Sequence, residues 1–189
     1  MNNQTIVVVL LIINCLSTNW LFGQDCKLLS TMLMTFGNDK RDYFQVYDSS
    51  EQFYYQAYIN NSVMTGIKEK LSKYFPEEVS DSLIKNCMKD TSRYLTWTGC
   101  AIKKIKIISK KKTKKIISRN VKNKNRKHCQ KSFESSAIYY VTSPIIYKDF
   151  AIMQCKAYIH PSFFRFRLRL FRYVNGEWMT MEELYGGVS

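Results

Sequence analysis

The segment from Phe163 to Met181 constrains the fold more than any other part of the chain, because its hydrophobic period and its turn residues indicate the same structure. Apolar and arginine side chains alternate from Phe164 to Leu170, which is the two-residue period of a strand with one buried face. Asn175-Gly176 follows, and both residues tolerate the positive φ that a type I′ turn needs at its two central positions. We therefore predict a β-hairpin with a two-residue loop, in which Tyr173 pairs with Trp178.

Counting back from that turn, an unbroken register pairs Phe171 with Thr180 and Leu170 with Met181. The register would divide the hairpin into two different faces. One face is apolar and comprises Phe164, Phe166, Leu168, Leu170, Met179 and Met181. The other face is basic and aromatic and comprises Arg165, Arg167, Arg169, Phe171, Tyr173 and Trp178.

The basic, aromatic face has two interpretations. As a functional surface it would stack on or ion-pair with a ligand such as single-stranded nucleic acid or an acidic glycan, with Tyr173 and Trp178 as the aromatic contacts. As a structural surface it is a solvated outer face, or a bulge near Leu170-Phe171 turns Phe171 and Trp178 into the core. We favour the structural interpretation, because antiparallel sheets commonly alternate between a buried apolar face and a solvated polar one.

Residues 1–23 predict a signal peptide. Ile6 to Ile13 is a short unbroken apolar run, and Gly23 is a small residue at a plausible cleavage point, although no Lys or Arg precedes the run. Polar residues from Asn14 to Asn19 interrupt the segment before it reaches the roughly 20 apolar residues of a membrane span. We therefore expect an exported protein, periplasmic, outer-membrane-associated or secreted. Its mature chain would be one α+β domain from Gln24 to Ser189, without a transmembrane span.

The cysteine content is consistent with export. Removal of the signal peptide leaves five candidates for disulfide bonds, which are Cys26, Cys87, Cys100, Cys129 and Cys155. Four of them can form two bridges in an oxidising compartment, and the spacing does not indicate which four or in which pairs. No two cysteines have the C-x-x-C spacing of a redox or zinc site, so we predict no metal site.

The net charge of +14 comes from one segment. Between Lys103 and Lys131 there are fourteen Lys or Arg and no Asp or Glu, and the rest of the chain carries equal numbers of both signs. We expect a strand from Ile102 to Ser109, a partner strand at Ile116-Ile117, and a basic loop insertion covering about residues 110–131. A polyanion would bind there through salt-sensitive charge, whereas the alternative is that the lysines only reflect the composition of an AT-rich genome.

The candidate anion-binding residues come from this segment and from the arginine strand. They are Lys103, Lys104, Lys106, Lys110, Lys111, Lys112, Lys114, Lys115, Arg165, Arg167 and Arg169.

Helical patterns come first along the chain and strand patterns follow. Apolar residues repeat at helical spacing within 25–36, 62–75 and 77–88, and Ser49 with Gln52 forms a capping box for a further helix. Ala137 to Val141 and Phe150 to Ile159 predict two more strands. We expect an α+β fold in which the N-terminal helices pack on one face of a curved antiparallel sheet of four to five strands. Cystatin-like and nuclear-transport-factor-like folds are built in this way by analogy.

The sequence nominates no catalytic residue. His128 adjoins Cys129, but neighbours in sequence rarely reach nucleophile–base geometry, and a disulfide is the better prediction for Cys129. The chain has no Gly-rich phosphate loop, no G-x-S-x-G and no H-E-x-x-H. We therefore predict neither a catalytic residue nor a cofactor.

Several segments resemble a group of small uncharacterised exported proteins common in Bacteroidetes. They are Trp97, Ile102 to Ile108, Val141 to Ile146, Phe150 to Ile152, and Leu170 through Asn175-Gly176-Glu177-Trp178, together with the Phe22-Gly23-Gln24 junction. The resemblance covers about half of the chain, from Tyr94 to Tyr185, and its motifs are structural. It implies an exported protein of unknown function and transfers no catalytic residue.

Three functions remain open at this point. The leading hypothesis is a non-enzymatic exported module that binds a partner or belongs to the cell envelope. The alternative is a polyanion binder that uses residues 103–131 together with the arginine strand 165–169. The third is an exported hydrolase or thiol enzyme whose residues a sheet concavity brings together.

Overall fold

A computed structural model describes residues 25–36, 44–48, 61–88, 97, 99–122, 137–160 and 163–188. In these residues four helices pack on a seven-stranded sheet, which confirms the predicted α+β class. In chain order the elements are α1 (25–35), β1 (Phe44–Tyr47), α2 (Asn61–Leu71), α3 (Glu77–Met88), β2 (Ile105–Ile108), α4 (Lys110–Lys122), β3 (Ile138–Val141), β4 (Ile145–Tyr147), β5 (Phe150–His160), β6 (Phe163–Val174) and β7 (Glu177–Val188).

The sheet is mixed and has more strands than the four to five expected. Its order is β2-β1-β3-β5-β6-β7, and β4 pairs separately with β5. β1 is parallel to both β2 and β3, and all other pairs are antiparallel. β1 lies in an aromatic segment that predicted no strand. Because its two partners are distant in the chain, no local turn signal marks it as part of a sheet.

Helix α1 covers one face of the sheet, which we call the α1 face. Its buried Leu28, Leu29, Met32 and Leu33 repeat at helical spacing. They pack with alternate residues of the strands, among them Val46, Tyr139, Met153 and Phe171, and with Trp97. The predicted first helix is therefore confirmed, and the α1 face contains the larger hydrophobic core.

Helices α2 and α3 cover the opposite face. Ile67, Leu71, Leu83 and Ile84 of these helices pack on residues of β5, β6 and β7 that point away from α1, namely Ile152, Leu168, Leu170 and Leu184. Pro76 immediately precedes α3, where its missing N–H is not needed. Helices thus occupy both faces of the sheet, whereas the sequence predicted them on one.

The hairpin forms at the predicted turn, with positive φ at Asn175 (51°) and Gly176 (87°). Tyr173 pairs with Trp178 and Phe171 with Thr180 as predicted, but Leu170 pairs with Glu182 rather than Met181. The reason is a register shift between Leu170 and Phe171, and a second one lies between Leu168 and Arg169. Met179 pairs with Arg172 as the unbroken register predicts, but it is 54% exposed and does not continue the apolar face. Phe171 and Trp178 are buried in the core, as the structural interpretation of this strand predicted.

Residues 110–122 form helix α4 and not a loop, and Ile116-Ile117 belongs to this helix and not to a strand. Ser109 precedes the helix at the position where serine is a favoured N-cap, and its carbonyl accepts a hydrogen bond from the Thr113 N–H at 2.9 Å. Thr113 is buried and Ile116 half-buried, so the helix has one inward side. The lysines hide this three- and four-residue period in the sequence. The rest of the predicted insertion, 123–131, lies outside the described residues.

One disulfide joins Cys26 of α1 to Cys100, in the segment before β2, with their Cα atoms 5.4 Å apart. Cys87 and Cys155 are buried free thiols. Cys129 lies outside the described residues. The structure therefore selects one bridge from the several that the sequence allowed.

Candidate functional site: two basic surfaces

The first candidate site is the outer side of α4. Six of its basic side chains are exposed, and we call this set the basic helix face: Lys110, Lys111, Lys112, Lys114, Lys115 and Arg119. At 100° per residue Lys111, Lys115 and Arg119 fall opposite buried Thr113, and the other three lysines lie toward its two flanks. Within the residues that the structure describes, none of the six has a carboxylate within ion-pairing distance. The basic helix face is therefore a patch of solvent-facing positive charge that no described carboxylate compensates.

The sequence reasoning omitted Arg119 from its candidates. Arg119 follows Lys115 by four residues, which places the two side chains on the same side of a helix. A prediction of α4 as a helix would have included Arg119. The signal for that helix is the three-residue spacing of Thr113 and Ile116, which form its inward side.

Lys103, Lys104 and Lys106 lie on or just before β2. All three are exposed, and β2 is an edge strand of the sheet. Lysine on an edge strand has a structural purpose, because its charge discourages another chain from pairing with the free edge. These three lysines therefore need no ligand to explain them, in contrast to the basic helix face.

The second candidate site is the arginine row, which consists of Arg165, Arg167 and Arg169 on β6. Their cross-strand partners on β5 are Ala157, Cys155 and Met153, which places the arginine row on the α1 face. Arg169 is only 6% exposed, and Arg165 and Arg167 are half-buried. The row is therefore an internal feature of the fold rather than the open polar face expected from the alternation.

Glu183 of β7 bridges two members of the row. Arg167 Nη1 donates a hydrogen bond to Glu183 Oε2, and Arg169 Nη2 donates to the same oxygen at 3.3 Å. Arg169 Nη1 also donates to the carbonyl of Thr35 at the end of α1. The guanidinium carbon of Arg167 lies 5.9 Å from the ring centroid of Phe36. The arginine row thus holds the C-terminal end of α1 against the sheet.

Burial lowers the pKa of the Arg169 guanidinium, while its hydrogen bond to Glu183 acts in the opposite direction. Sequence reasoning missed Glu183, because only the register shift between Leu170 and Phe171 brings this residue opposite Arg169.

Tyr173 and Trp178 do not form the stacking surface considered above. Their ring centroids are 5.1 Å apart, and both residues belong to or pack against the core on the α1 face. Trp178 is 6% exposed, so its ring has no free face for a base or a sugar. The pair contributes to burial instead.

The two basic surfaces lie on different elements and differ in their surroundings. The basic helix face on α4 points to solvent, whereas the arginine row on β6 is bonded to Glu183 and to the end of α1. Each surface must be considered separately.

Among the described residues, the buried acid and thiols with raised pKa values lie on different elements. Burial raises the pKa of Asp25 to about 6 and that of Cys87 to about 12, and it also raises the pKa of Cys155. The three lie on α1, α3 and β5, and burial rather than a catalytic partner causes each shift. Thiols of this kind stay protonated and are poor nucleophiles. The pair His128-Cys129 lies outside the described residues.

Among the described residues, no group of three or more His, Cys, Asp or Glu side chains is arranged to hold a metal ion. None of the helices in the described ranges has the length and apolar character to cross a membrane.

Comparisons with protein-family models, with curated proteins and with solved structures find no match. The resemblance to exported Bacteroidetes proteins and the analogies to cystatin-like and nuclear-transport-factor-like folds therefore stay predictions. Function has to be argued from the two basic surfaces themselves.

Proposed function

We propose that this protein is a non-enzymatic exported module that binds polyanions through the basic helix face. The observation that supports this proposal is the set of six exposed cations on α4 without a carboxylate partner in the described residues. Like charges three and four residues apart destabilise a helix, and lysines in the first turn oppose its dipole. A bound polyanion would remove both penalties.

The arrangement favours recognition of backbone charge rather than of bases or sugars. Lys111, Lys115 and Arg119 form a row in which neighbours are about 6 Å apart along the helix axis. Helix α4 contains no aromatic residue that could stack on a base. We therefore expect binding that depends strongly on salt and weakly on sequence, with nucleic acid and acidic glycan as suitable partners.

The proposal places the protein outside the cytoplasm, and two observations agree with export. The Cys26–Cys100 disulfide is compatible with an oxidising compartment, and the apolar segment Ile6 to Ile13 has the pattern of a signal peptide. The periplasm, the outer membrane surface and the exterior of the cell all meet this condition. The enzyme hypothesis receives no support from the described thiols, which are buried and protonated.

The test is retention on immobilised heparin and on double-stranded DNA across a salt series. The variant K111Q/K115Q/R119Q removes one row of the basic helix face, and glutamine preserves helix propensity. Because each lost phosphate contact lowers the slope of log K against log salt by about 0.9, we expect the DNA slope to fall by roughly 2–3.

The matched control is K27Q/K73Q/K85Q, which removes the same charge from exposed positions on or beside α1, α2 and α3. It should elute close to the unmodified protein. If both triple variants lose the same retention, binding reflects total charge and the assignment to α4 is wrong.

A further inference from the structure

The arginine row has more positive charge than its surroundings compensate. The row has three guanidinium groups and, among the described residues, one paired carboxylate, that of Glu183, which bonds to Arg167 and Arg169. Arg169 is almost fully buried, and Arg165 is half-buried without any carboxylate in ion-pairing distance in the described part of the chain. Buried cations are normally paired, because removal of a charge from water is costly. The described residues therefore leave the guanidinium of Arg165 without a counter-ion.

Two N–H groups of the row are buried and lack an acceptor among the described residues. They are the Nε–H groups of Arg165 and Arg169, which have no contact with solvent. Burial of a donor without an acceptor is costly, so a further acceptor would stabilise this strand face. An oxyanion is the acceptor that also balances the charge.

Arg165 and Arg167 lie at the more open end of the row. The neighbour of Arg165 on β5 is the small Ala157, whereas the space beside Gly186, opposite Arg167, is taken by the carboxylate of Glu183. The side chain of Arg167 is 31% exposed, whereas that of Arg169 behind it is 7% exposed. Alternate residues of a strand are roughly 7 Å apart on one face, which allows two guanidinium groups to converge on one anion. The row therefore has a solvent-facing side at Arg165 and Arg167 and a closed side at Arg169.

We propose that Arg165 and Arg167 form a binding site for one small oxyanion, a carboxylate or phosphate group of a ligand, and that Glu183 and Arg169 hold Arg167 in place behind it. This site goes beyond the proposed polyanion binding, because it shares no residue with the basic helix face. It recognises a single anionic group in a partly buried position and not an extended chain of charges.

Guanidinium suits this task because its planar fork donates two parallel hydrogen bonds to a carboxylate or phosphate. Glu183 already occupies the side of the row nearest β7, so the incoming anion has to bind on the side of Arg165. The close packing of Arg167 on Phe36 places this site directly beyond the C-terminal end of α1.

The experiment is a titration of the ¹⁵N-labelled full chain, observed through the arginine Nε–Hε resonances. Inorganic phosphate is added in one arm and acetate in the other, with chloride holding the ionic strength constant. We expect a saturable shift of the Arg165 resonance with at least one of the two anions, and the arm that saturates identifies the ligand class. Arg165→Gln should weaken that affinity at least tenfold. Arg165→Lys, which keeps the charge without the fork, should give an intermediate loss.

Two controls separate this site from other charges. Arg172→Gln changes an exposed arginine of the same strand on the opposite face, where it pairs with Asp149 at 2.7 Å, and should leave the affinity unchanged. K111Q/K115Q/R119Q should also leave it unchanged, even if that variant abolishes heparin retention. Shifts that stay linear with both anions, or equal affinity in Arg165→Gln, would overturn the proposal. Loss of the phosphate effect in the α4 variant alone would likewise overturn it.

Discussion

Gly186 lies opposite Arg167, and the space above its Cα holds the carboxylate of Glu183. A Cβ at this position would be 2.6 Å from Glu183 Oε1 and 3.3 Å from the carbonyl oxygen of Phe166. Glycine is therefore required here for a close approach rather than for an unusual φ. The ion pairs of Arg167 and Arg169 with Glu183 require glycine at position 186, because a Cβ there would displace the Glu183 carboxylate.

Gly186→Ala should lower the free energy of unfolding by about 1–3 kcal/mol, since displacement of Glu183 leaves buried Arg169 without its carboxylate. Urea denaturation measures the change. The same substitution in a Glu183→Ala background should cost less than half as much, because the ion pairs are already absent.

Gly66→Ala in α2 is the matched control, because a Cβ there would meet nothing within 4 Å. It should stabilise the protein by about 0.5–1 kcal/mol through helix propensity. Equal destabilisation by Gly186→Ala in both backgrounds would show that the Phe166 backbone, and not Glu183, is what the new methyl group displaces.

Helix α4 combines a well-formed inward side with an unfavourable outward one. Lys110, Lys111 and Lys112 occupy the first turn, where the helix dipole favours negative charge. Lys111 also faces Lys115 one turn later, and such like-charge pairs destabilise helices. The outward charges therefore lower the stability of α4 relative to a helix of the same length without them.

Lys111→Glu should raise the free energy of unfolding by about 0.5–1 kcal/mol, since it places an acid in the first turn and creates a Glu–Lys pair with Lys115. Lys111→Gln should give about half of that gain. Both variants should bind heparin less tightly, and urea denaturation beside salt-dependent elution measures the two effects.

The reverse control is Lys85→Glu in the last turn of α3, where a basic residue suits the helix dipole. That variant should be less stable than the unmodified protein. A lower free energy of unfolding in Lys111→Glu would contradict the prediction. It would mean that Lys111 stabilises α4 despite its unfavourable interaction with the helix dipole.

At the level of the whole molecule, the sheet lies between α1 on one side and α2 with α3 on the other. Strand β5 shows why both faces are covered, because buried Ala151, Ile152 and Met153 point alternately to the two cores. The Cys26–Cys100 disulfide then connects α1 to the segment before edge strand β2 across a sequence separation of 74 residues. It limits the freedom of the unfolded chain over a large loop.

Cys26→Ala/Cys100→Ala should lower the free energy of unfolding by about 4 kcal/mol, the chain-entropy value for a loop of this length. Urea denaturation with and without dithiothreitol measures it. Reductant should destabilise the unmodified protein and leave the double variant unchanged, because the remaining described thiols, Cys87 and Cys155, are unpaired. An equal effect of reductant on both proteins would contradict the prediction and indicate a further bridge.

Much of the local structure could be predicted from the sequence. The three confirmed helices α1, α2 and α3 follow from apolar residues at helical spacing, and the hairpin turn follows from Asn175-Gly176. Strands β3 and β5 likewise follow from their own residues. In each case the signal is a period or a turn preference that lies within about a dozen residues.

The same local reasoning failed where a residue's environment comes from a distant part of the chain. The lysines of α4 obscured a helix whose inward side becomes visible only when Thr113 is seen to be buried. The sequence predicted the lysine positions of the candidate sites. It predicted neither the ion pair of Glu183 with Arg169 nor the burial of Arg169.

The amino-acid sequence by itself therefore determined the α+β class, the hairpin, the position of the positive charge and the pool of cysteines. Tertiary structure decided the parallel pairing of β1, the choice of Cys26 and Cys100, and the division of the basic residues into two separate surfaces. The physical reason is that periodicity and turn chemistry act between near neighbours, whereas strand order and the contacts that anchor α1 to the sheet depend on packing between residues far apart in the chain, such as Arg169 and Thr35 at a separation of 134 positions.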